Sequence, residues 1–485
     1  MLQLSLDSDS ALPLADQIVI GIRARIEDRV LRPGMRLPPI RDFAERHAVS
    51  RYTVVEAYDR LVAMGYVRSR QGSGFYVEGR PPPAIGTPAR GELAQTFDNA
   101  GLLHRSLDEG PDRLKVGLGW LPPEWHDEAG VRRHLRTLSR QPRAKVTSYG
   151  SAQGYAPLRE QLRVKLAESD IPATADQIVL TNGATHALDI VIRHLLKPGD
   201  CVFVDDPGSW NLFANLRLFG VNLVGVPRRV HGPDPATLEA LLTEHRPKAF
   251  FTQSVLQNPT ACNLTPASAF RILQLAEKHD FLVIEDDTYS DLHPGQPTRL
   301  ATLDQLHRVI YVGSFSHTLS GNLRVGFLAC QPDLAASLTD VKIVTCLCTS
   351  EFAEQLVYQM LIEGHYRKYV ERLRVRLLEA SAKTLRMLER NGFAVFAEPA
   401  GGMFVWAKAR GLHDAARLAS QAAAENIMLA PGHVFRPQMQ ATPYLRFNVA
   451  YAQDPRLERF FDRAANRPQS ALPEDSAVVS PKEGG

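Results

Sequence analysis

Apolar positions recur at helical spacing early in the chain and gather into short continuous runs further on. Ile18, Ile22, Ile26 and Val30 fall on one face of an amphipathic helix that stops at "RPGM". A second helix starts after Pro38 and Pro39 and turns Ile40, Phe43 and Ala44 inward. The short turn "HAV" leads to Ser50, a side chain suited to capping a helix N-terminus. The third helix carries Val54, Tyr58, Leu61 and Val62 at helical spacing and ends at Gly65. "YVRSRQGSGFYV" then reads as a hairpin with "QGSG" at its tip. Helices and hairpin in this order predict a winged helix-turn-helix over residues 1–79.

The Pro/Gly-rich stretch beginning "GRPPPAIGTPARGELAQ" has weak periodicity and reads as a linker over residues 80–113. Beyond it, helical patterns alternate with apolar runs: "DCVFVDDPG", "VNLVGVPR", "KAFFTQS", "FLVIEDD", "RVIYVGS" and "RVGFLAC". This alternation predicts a large α/β domain over residues 114–467, with a mostly parallel sheet covered on both faces. Residues 468–485 are polar and proline-rich and read as a disordered tail. The fold class is therefore multidomain, a mostly α winged helix-turn-helix followed by a large α/β domain.

Composition narrows the choices. The 485 residues are 44% hydrophobic and 22% charged, with a net charge of +3. So small a charge does not point to nucleic-acid binding by the whole chain, and any such role must rest on a local patch. The residues before Gly79 supply one, being rich in arginine and free of lysine. The 5 cysteines show neither metal-ligand spacing nor a CxxC pair, so no metal is expected. They read as reduced core thiols, Cys346 and Cys348 lying in "VTCLCTS" as packed interior. The start lacks a signal-peptide pattern and no apolar run is long enough to span a bilayer, so a cytoplasmic protein is expected.

Arg51, Tyr52 and Thr53 open the third helix away from its apolar stripe, where a recognition helix meets base edges. Arg41, Arg46, Arg68 and Arg70 flank it and suit phosphates, although a solvated arginine face would look the same. The segment from "RPGMRLPPIRDFAERHAVSRYTVV" through the hairpin resembles the winged-helix domain of GntR-type bacterial regulators. That resemblance implies contacts to a double-stranded operator at Arg41, Ser50, Arg51, Thr53 and the wing residues Gln71, Gly72 and Ser73. Pro39 and Ile40 depart from the serines common in that family.

In the large domain, "LTNGATHALDIVI" puts Ala184 and Thr185 at a helix N-terminus, where phosphate is favoured. Asp286 ends a buried strand with Tyr289 just beyond; its carboxylate could pair with a pyridinium nitrogen, although taken alone it reads more readily as a solvated acidic loop. Asn258 precedes a proline turn, "GSFSHTLSGNLRVGF" offers Ser314, Ser316 and Arg324 to a phosphate, and Arg446 on a strand suits a carboxylate or a structural ion pair.

In this order the segments resemble the fold-type I aminotransferases that use pyridoxal 5'-phosphate (PLP). Fused to a GntR-type domain, they are similar to the MocR (GabR-like) regulators. The resemblance implies Ala184, Thr185, Ser314 and Arg324 on the phosphate and Asp286 on the ring nitrogen. It implies Asn258 and Tyr289 on the ring oxygen, Arg446 on an effector carboxylate, and Tyr149 reaching the cofactor of a neighbouring subunit in a homodimer. His317 stands where the anchoring lysine belongs, Ser209 in "DDPGSW" where a ring-stacking tyrosine is usual, and no other lysine is near in sequence. Trp210 could replace the tyrosine only if strand neighbours did not point oppositely. An imidazole forms no stable imine, so no catalytic residue is expected.

Two readings of His317 stay open: a residual base titrating near neutrality, or a space-filling side chain. Three functions follow: a regulator sensing noncovalent PLP or a PLP–amino acid adduct, a working aminotransferase with an accessory DNA-binding domain, and a regulator whose large domain is a scaffold that binds no PLP.

Overall fold

The structure, a computed structural model, describes residues 4, 6–7, 10, 12–28, 30–70, 73–78, 112–140 and 147–465. The wing-tip residues Gln71 and Gly72, most of the expected linker and the tail lie outside the described residues. The chain divides into two compact units, Met1–Ala94 and Gln95–Gly485.

In the first unit, α1 (Leu14–Glu27), α2 (Ile40–His47) and α3 (Arg51–Ala63) precede a hairpin of β1 (Val67–Arg70) and β2 (Gly74–Val77). Ile18, Ile22, Phe43, Val54, Tyr58 and Leu61 meet in one small core with Val67 and Val77. Phe43, Tyr58 and Phe75 pack edge to face, and the buried Tyr58 hydroxyl donates to Pro38 O at 3.0 Å. Val30 does not join this core. Helix α1 stops at Glu27 before the turn, so Val30 is 64% exposed instead of extending the stripe.

The large unit holds an eight-stranded sheet in the order β3-β10-β9-β8-β7-β4-β5-β6. These are β3 (Ile178–Thr181), β4 (Cys201–Asp206), β5 (Asn222–Arg229), β6 (Gly232–Pro233), β7 (Ala249–Thr252), β8 (Leu282–Asp286), β9 (Val309–Ser314) and β10 (Gly326–Ala329). The central pairs β5/β4, β4/β7, β7/β8 and β8/β9 are parallel, while β10 and β6 run antiparallel at either side. Alternate residues serve two opposite cores: Phe203, Phe250 and Val283 enter one, and Val204, Phe251 and Ile284 the other. Burial on both faces explains why these strands read as continuous apolar runs.

A second sheet, β11-β12-β14-β13, is antiparallel throughout. It comprises β11 (Phe393–Val395), β12 (Phe404–Ala409), β13 (Ala430–Pro431) and β14 (Tyr444–Asn448).

Two sequence expectations are corrected here. Cys346 and Cys348 are half-exposed rather than interior, beside Val344 at 87% and Leu347 at 58% exposure. Helix Pro332–Cys346 buries Ala335, Leu338 and Lys342, and residues after Lys342 fall off that stripe. Ser209 and Trp210 do not lie on a strand: Ser209 occupies the N-cap position of helix Trp210–Phe219 without a side-chain cap bond, and Trp210 packs on the cluster of Trp406, Val434 and Phe435. Among the described residues, no helix is long and apolar enough to cross a membrane.

Candidate functional site

The N-terminal face is built on the start of α3. Ser50 Oγ accepts from Thr53 N at 3.0 Å and lies 2.7 Å from Thr53 Oγ1, so one cap orders both hydroxyls. The exposed guanidinium of Arg41 meets Glu45 at 2.9 Å, and that of Arg51 reaches the same carboxylate at 3.9 Å. Exposed pairs of this kind are weak, which leaves both arginines free to exchange Glu45 for phosphate. Arg68 pairs with Glu78 at 3.1 Å, Arg70 covers the Tyr76 ring at 4.9 Å, and Ser73 Oγ lies 2.6 Å from the Tyr76 hydroxyl. The wing thus holds Arg70 and Ser73 against one aromatic ring. Tyr52, 78% exposed, stands beside Arg51 at the same helix start.

In the large unit, the carboxyl ends of the parallel strands converge. That is where ligands bind in open α/β sheets. Asp286 closes β8, Ser314 closes β9, and Gln253 follows β7. Gln253 Nε2 donates to Asp286 Oδ2 at 2.8 Å, while its Oε1 accepts from Asn258 N at 2.9 Å. Asn258 Oδ1 accepts from Arg446 Nη1 at 2.7 Å, and Arg446 Nη2 donates to Gly117 O at 2.7 Å. A single relay therefore joins Asp286, Asn258 and Arg446. Burial pushes the Asp286 carboxyl up to about 6, against the opposing effect of bonds from Thr288 and Gln253.

The Arg446 guanidinium is sandwiched at 4.5 Å from Phe404 and 4.8 Å from Phe435, and its Nε has no partner among the described residues. Burial lowers its pKa to about 10. The phenol of Tyr289, in hydrogen-bond contact with Asn258, is pushed well up by burial.

A second cluster forms a small cup. Helix Gly183–Leu195 begins with Gly183, Ala184 and Thr185, whose N–H groups are first-turn donors that a helix leaves free. Arg324, itself at φ +51°, donates to Asn182 O at 3.0 Å and to Ser316 Oγ at 3.2 Å; Ser314 Oγ donates to Ser316 Oγ at 3.1 Å. Gly183 has φ +74°, and a Cβ there would stand 2.5 Å from Arg324 Nη2. At Gly326 a Cβ would meet Gly183 Cα at 2.7 Å and Ala184 N at 3.0 Å. The cup exists because these positions carry no side chain.

His317 lies between the relay and the cup. Its ring stacks on Tyr289 with centroids 4.5 Å apart and planes 26° apart, and its Nδ1 is buried without a partner. Burial, reinforced by His126, Arg324 and Arg446, lowers its pKa to about 4. This corrects the reading of an imidazole titrating near neutrality: the ring is neutral at physiological pH, because a third cation beside the Arg324 and Arg446 guanidinium groups is disfavoured. Lys342, the nearest lysine after the segment, is fully buried and donates to Thr349 Oγ1 at 3.1 Å. Ser209 and Asp286 line a cavity of about 10 Å³, room for about one water.

Tyr149 is 79% exposed and is not drawn into either cluster. Sequence reading overlooked Gln253, which ties Asp286 to Asn258; its place just past a parallel strand, five residues before Asn258, was the available signal.

The geometry suits the PLP class in part. The cup fits a phosphate, and Asp286 fits a protonated ring nitrogen whose charge would offset the cost of the buried carboxylate. At His317 there is no primary amine.

Comparison with known proteins agrees with this architecture. Residues 128–463 match the family "Aminotransferase class I and II", and residues 14–77 match "Bacterial regulatory proteins, gntR family". The chain is 30% identical to the probable rhizopine catabolism regulatory protein MocR of Rhizobium meliloti, over 76% of each chain. It is 28% identical to the HTH-type transcriptional regulator YdcR of Escherichia coli, over 91% of this chain and 96% of that one. Among solved structures, the α-aminoadipate aminotransferase LysN of Thermus thermophilus superposes with a TM-score of 0.69 at 28% identity, covering 77% of this chain and 99% of that one. With a gntR-family helix-turn-helix ahead of an aminotransferase class I and II domain, the chain belongs to the MocR-like family of HTH-type transcriptional regulators.

Proposed function

We propose that this regulator senses PLP, free or joined to an amino acid, by holding it without a covalent anchor. In this reading Ala184, Thr185, Ser314 and Arg324 bind the phosphate, Asp286 meets the ring nitrogen, and Asn258 and Tyr289 face the ring oxygen. Arg446, pointed by Asn258 and by its two aromatic neighbours, takes the effector's carboxylate. PLP when bound would supply an electron sink for chemistry at an amino acid's α-carbon. His317, in the lysine's place, offers no primary amine, and its lowered pKa makes it a weak base.

The observation that carries this reading is the contrast within one pocket. The cup and the Asp286 relay are built, while the anchoring position holds a neutral, half-buried, stacked imidazole.

The effector domain then acts on DNA through differential affinity for two arrangements of a homodimer. Tyr149 is free to reach the partner's pocket, and Val344 and Leu347 expose apolar area suited to a dimer contact. Residues 1–79 bind the operator through Arg41, Ser50, Arg51 and Thr53 on the α2–α3 corner and through Gln71, Gly72 and Ser73 on the wing. Residues 80–113 serve as the linker, residues 114–467 as effector and dimer domain, and the protein works in the cytoplasm with the DNA.

One observation favours a second reading, a scaffold that takes no PLP. Gln253 already bonds both Asp286 and Asn258, Asn258 already bonds Arg446 and Tyr289, and the Tyr289–His317 stack fills space beside them.

Titrating PLP into the purified full chain separates the two. Saturable binding that Asp286→Ala removes, together with a gel shift on the protein's own upstream DNA that changes with PLP, supports the sensor. DNA binding indifferent to PLP, with no saturable signal, leaves the scaffold. A His317→Lys variant that gains a borohydride-reducible link to PLP supports an otherwise intact pocket.

A further inference from the structure

A separate cluster lies outside both sites. His134 sits on helix Glu128–Ser139; Glu363 follows helix Glu351–Ile362, and His365 begins helix His365–Arg390. Gly364, at φ +71°, makes the turn that brings Glu363 and His365 to the same side as His134. His134 Nδ1 stands 3.8 Å from Glu363 Oε2, and His365 Nε2 stands 3.7 Å from that same oxygen. One donor atom from each residue lies within 4.8 Å of the others.

His134 is 1% exposed, and its Nε2 has no hydrogen-bond partner among the described residues. Its Nδ1 is beyond hydrogen-bond reach of Glu363. Nδ1 is the nitrogen turned toward Glu363, and it is the one an ion shared with Glu363 would take.

We propose that His134, Glu363 and His365 form a site for a divalent transition-metal ion of the zinc type, with a fourth position open to water. Two imidazole nitrogens and a carboxylate oxygen are an established donor set for such an ion. Bonds of about 2.0–2.2 Å around a tetrahedral centre place donors about 3.4 Å apart. The present spacing is wider by tenths of an ångström between neighbours and by up to about 1.4 Å overall. The Glu363 and His365 side chains are 45% and 40% exposed, so side-chain rotation can close them onto the fixed His134. Arg133 Nη2 lies 3.3 Å from His365 Nδ1 and must swing aside, which its exposed position allows. A bound ion would clamp the helix carrying His134 onto the junction between the two that follow.

The test titrates Co²⁺ into chelator-treated, PLP-free full-length protein and follows the visible d–d absorption of a low-symmetry site, then displaces it with Zn²⁺. The expected result is one ion per chain, displaced by Zn²⁺, with Zn²⁺ raising the thermal midpoint. His365→Ala and Glu363→Gln should each weaken binding by more than the roughly 10- to 100-fold typical of losing an outer partner, and Arg133→Ala should not weaken it. These variants carry the test because both ligands are partly exposed, whereas His134→Ala risks misfolding. Absence of a saturable spectrum, or one unchanged in His365→Ala and Glu363→Gln, overturns the site.

Discussion

Replacing Asp286 by asparagine should stabilise the protein and abolish the response to PLP proposed above. The residue is half-buried at the end of β8, and desolvation raises its carboxyl from the ordinary 3.8 to about 6. At 1.36 kcal/mol per pH unit, that difference corresponds to about 3 kcal/mol. Because the folded-state value is the higher, the native state holds the proton more tightly than the unfolded chain. Stability is therefore lost as pH rises through the window from 3.8 to about 6, and the full penalty applies above it.

Asparagine keeps the shape and can still accept from Gln253, but it turns an amide toward Thr288 N, forfeiting a bond of 3.3 Å. That loss is about 1 kcal/mol, leaving a net gain of about 2 kcal/mol above pH ~6. By linkage the gain should be about 1 kcal/mol larger at pH ~7.5 than at pH ~5. Thermal denaturation of both proteins without PLP, following the large unit's transition, reads this as a pH-dependent shift of a few degrees. In parallel, PLP at about 100 times its Kd should stabilise the parent by about 2.7 kcal/mol and leave the variant unmoved. A variant less stable at pH ~7.5, or a difference equal at both pH values, would refute the assignment of a buried, proton-retaining carboxylate.

Other outcomes follow from the same geometry. Ser50→Ala removes the α3 cap and should cost the small unit about 1 kcal/mol, seen in its thermal melt, with weaker retention of operator DNA in a gel shift. Arg228→Met leaves Asp205 buried without its partner at 2.8 Å and releases Gln253 O, held at 2.7 Å. A loss of about 3–5 kcal/mol is expected in denaturation, and an unchanged midpoint would count against the pair. Gly326→Ala forces a Cβ against backbone at 2.7 Å, so the cup must open. It should cost about 1–3 kcal/mol and weaken PLP binding measured by titration, while DNA affinity without PLP stays the same.

Periodicity and chemistry together made much of this molecule legible before any coordinates. The apolar stripe of α3 and the cap at Ser50 are local properties, set within a few residues, and each reappears in the structure. The parallel strands were readable because both of their faces are buried, which makes each a continuous apolar run. Strands β11 and β13 of the second sheet were not, since at three and two residues they are too short to show a pattern. Val30, Cys346 and Cys348 were misplaced because hydrophobicity reports preference for burial, whereas helix ends and surface position depend on neighbours remote in sequence.

For the pocket, sequence by itself determined which groups are available: a carboxylate, an amide, an arginine, a glycine-floored turn, and no lysine at position 317. Only tertiary structure decided their states. Convergence of strand ends placed Gln253 between Asp286 and Asn258, and burial raised one carboxyl while silencing the His317 imidazole. Protonation and hydrogen-bond pairing depend on desolvation and on charges brought together across more than a hundred residues, and no local spacing encodes those distances.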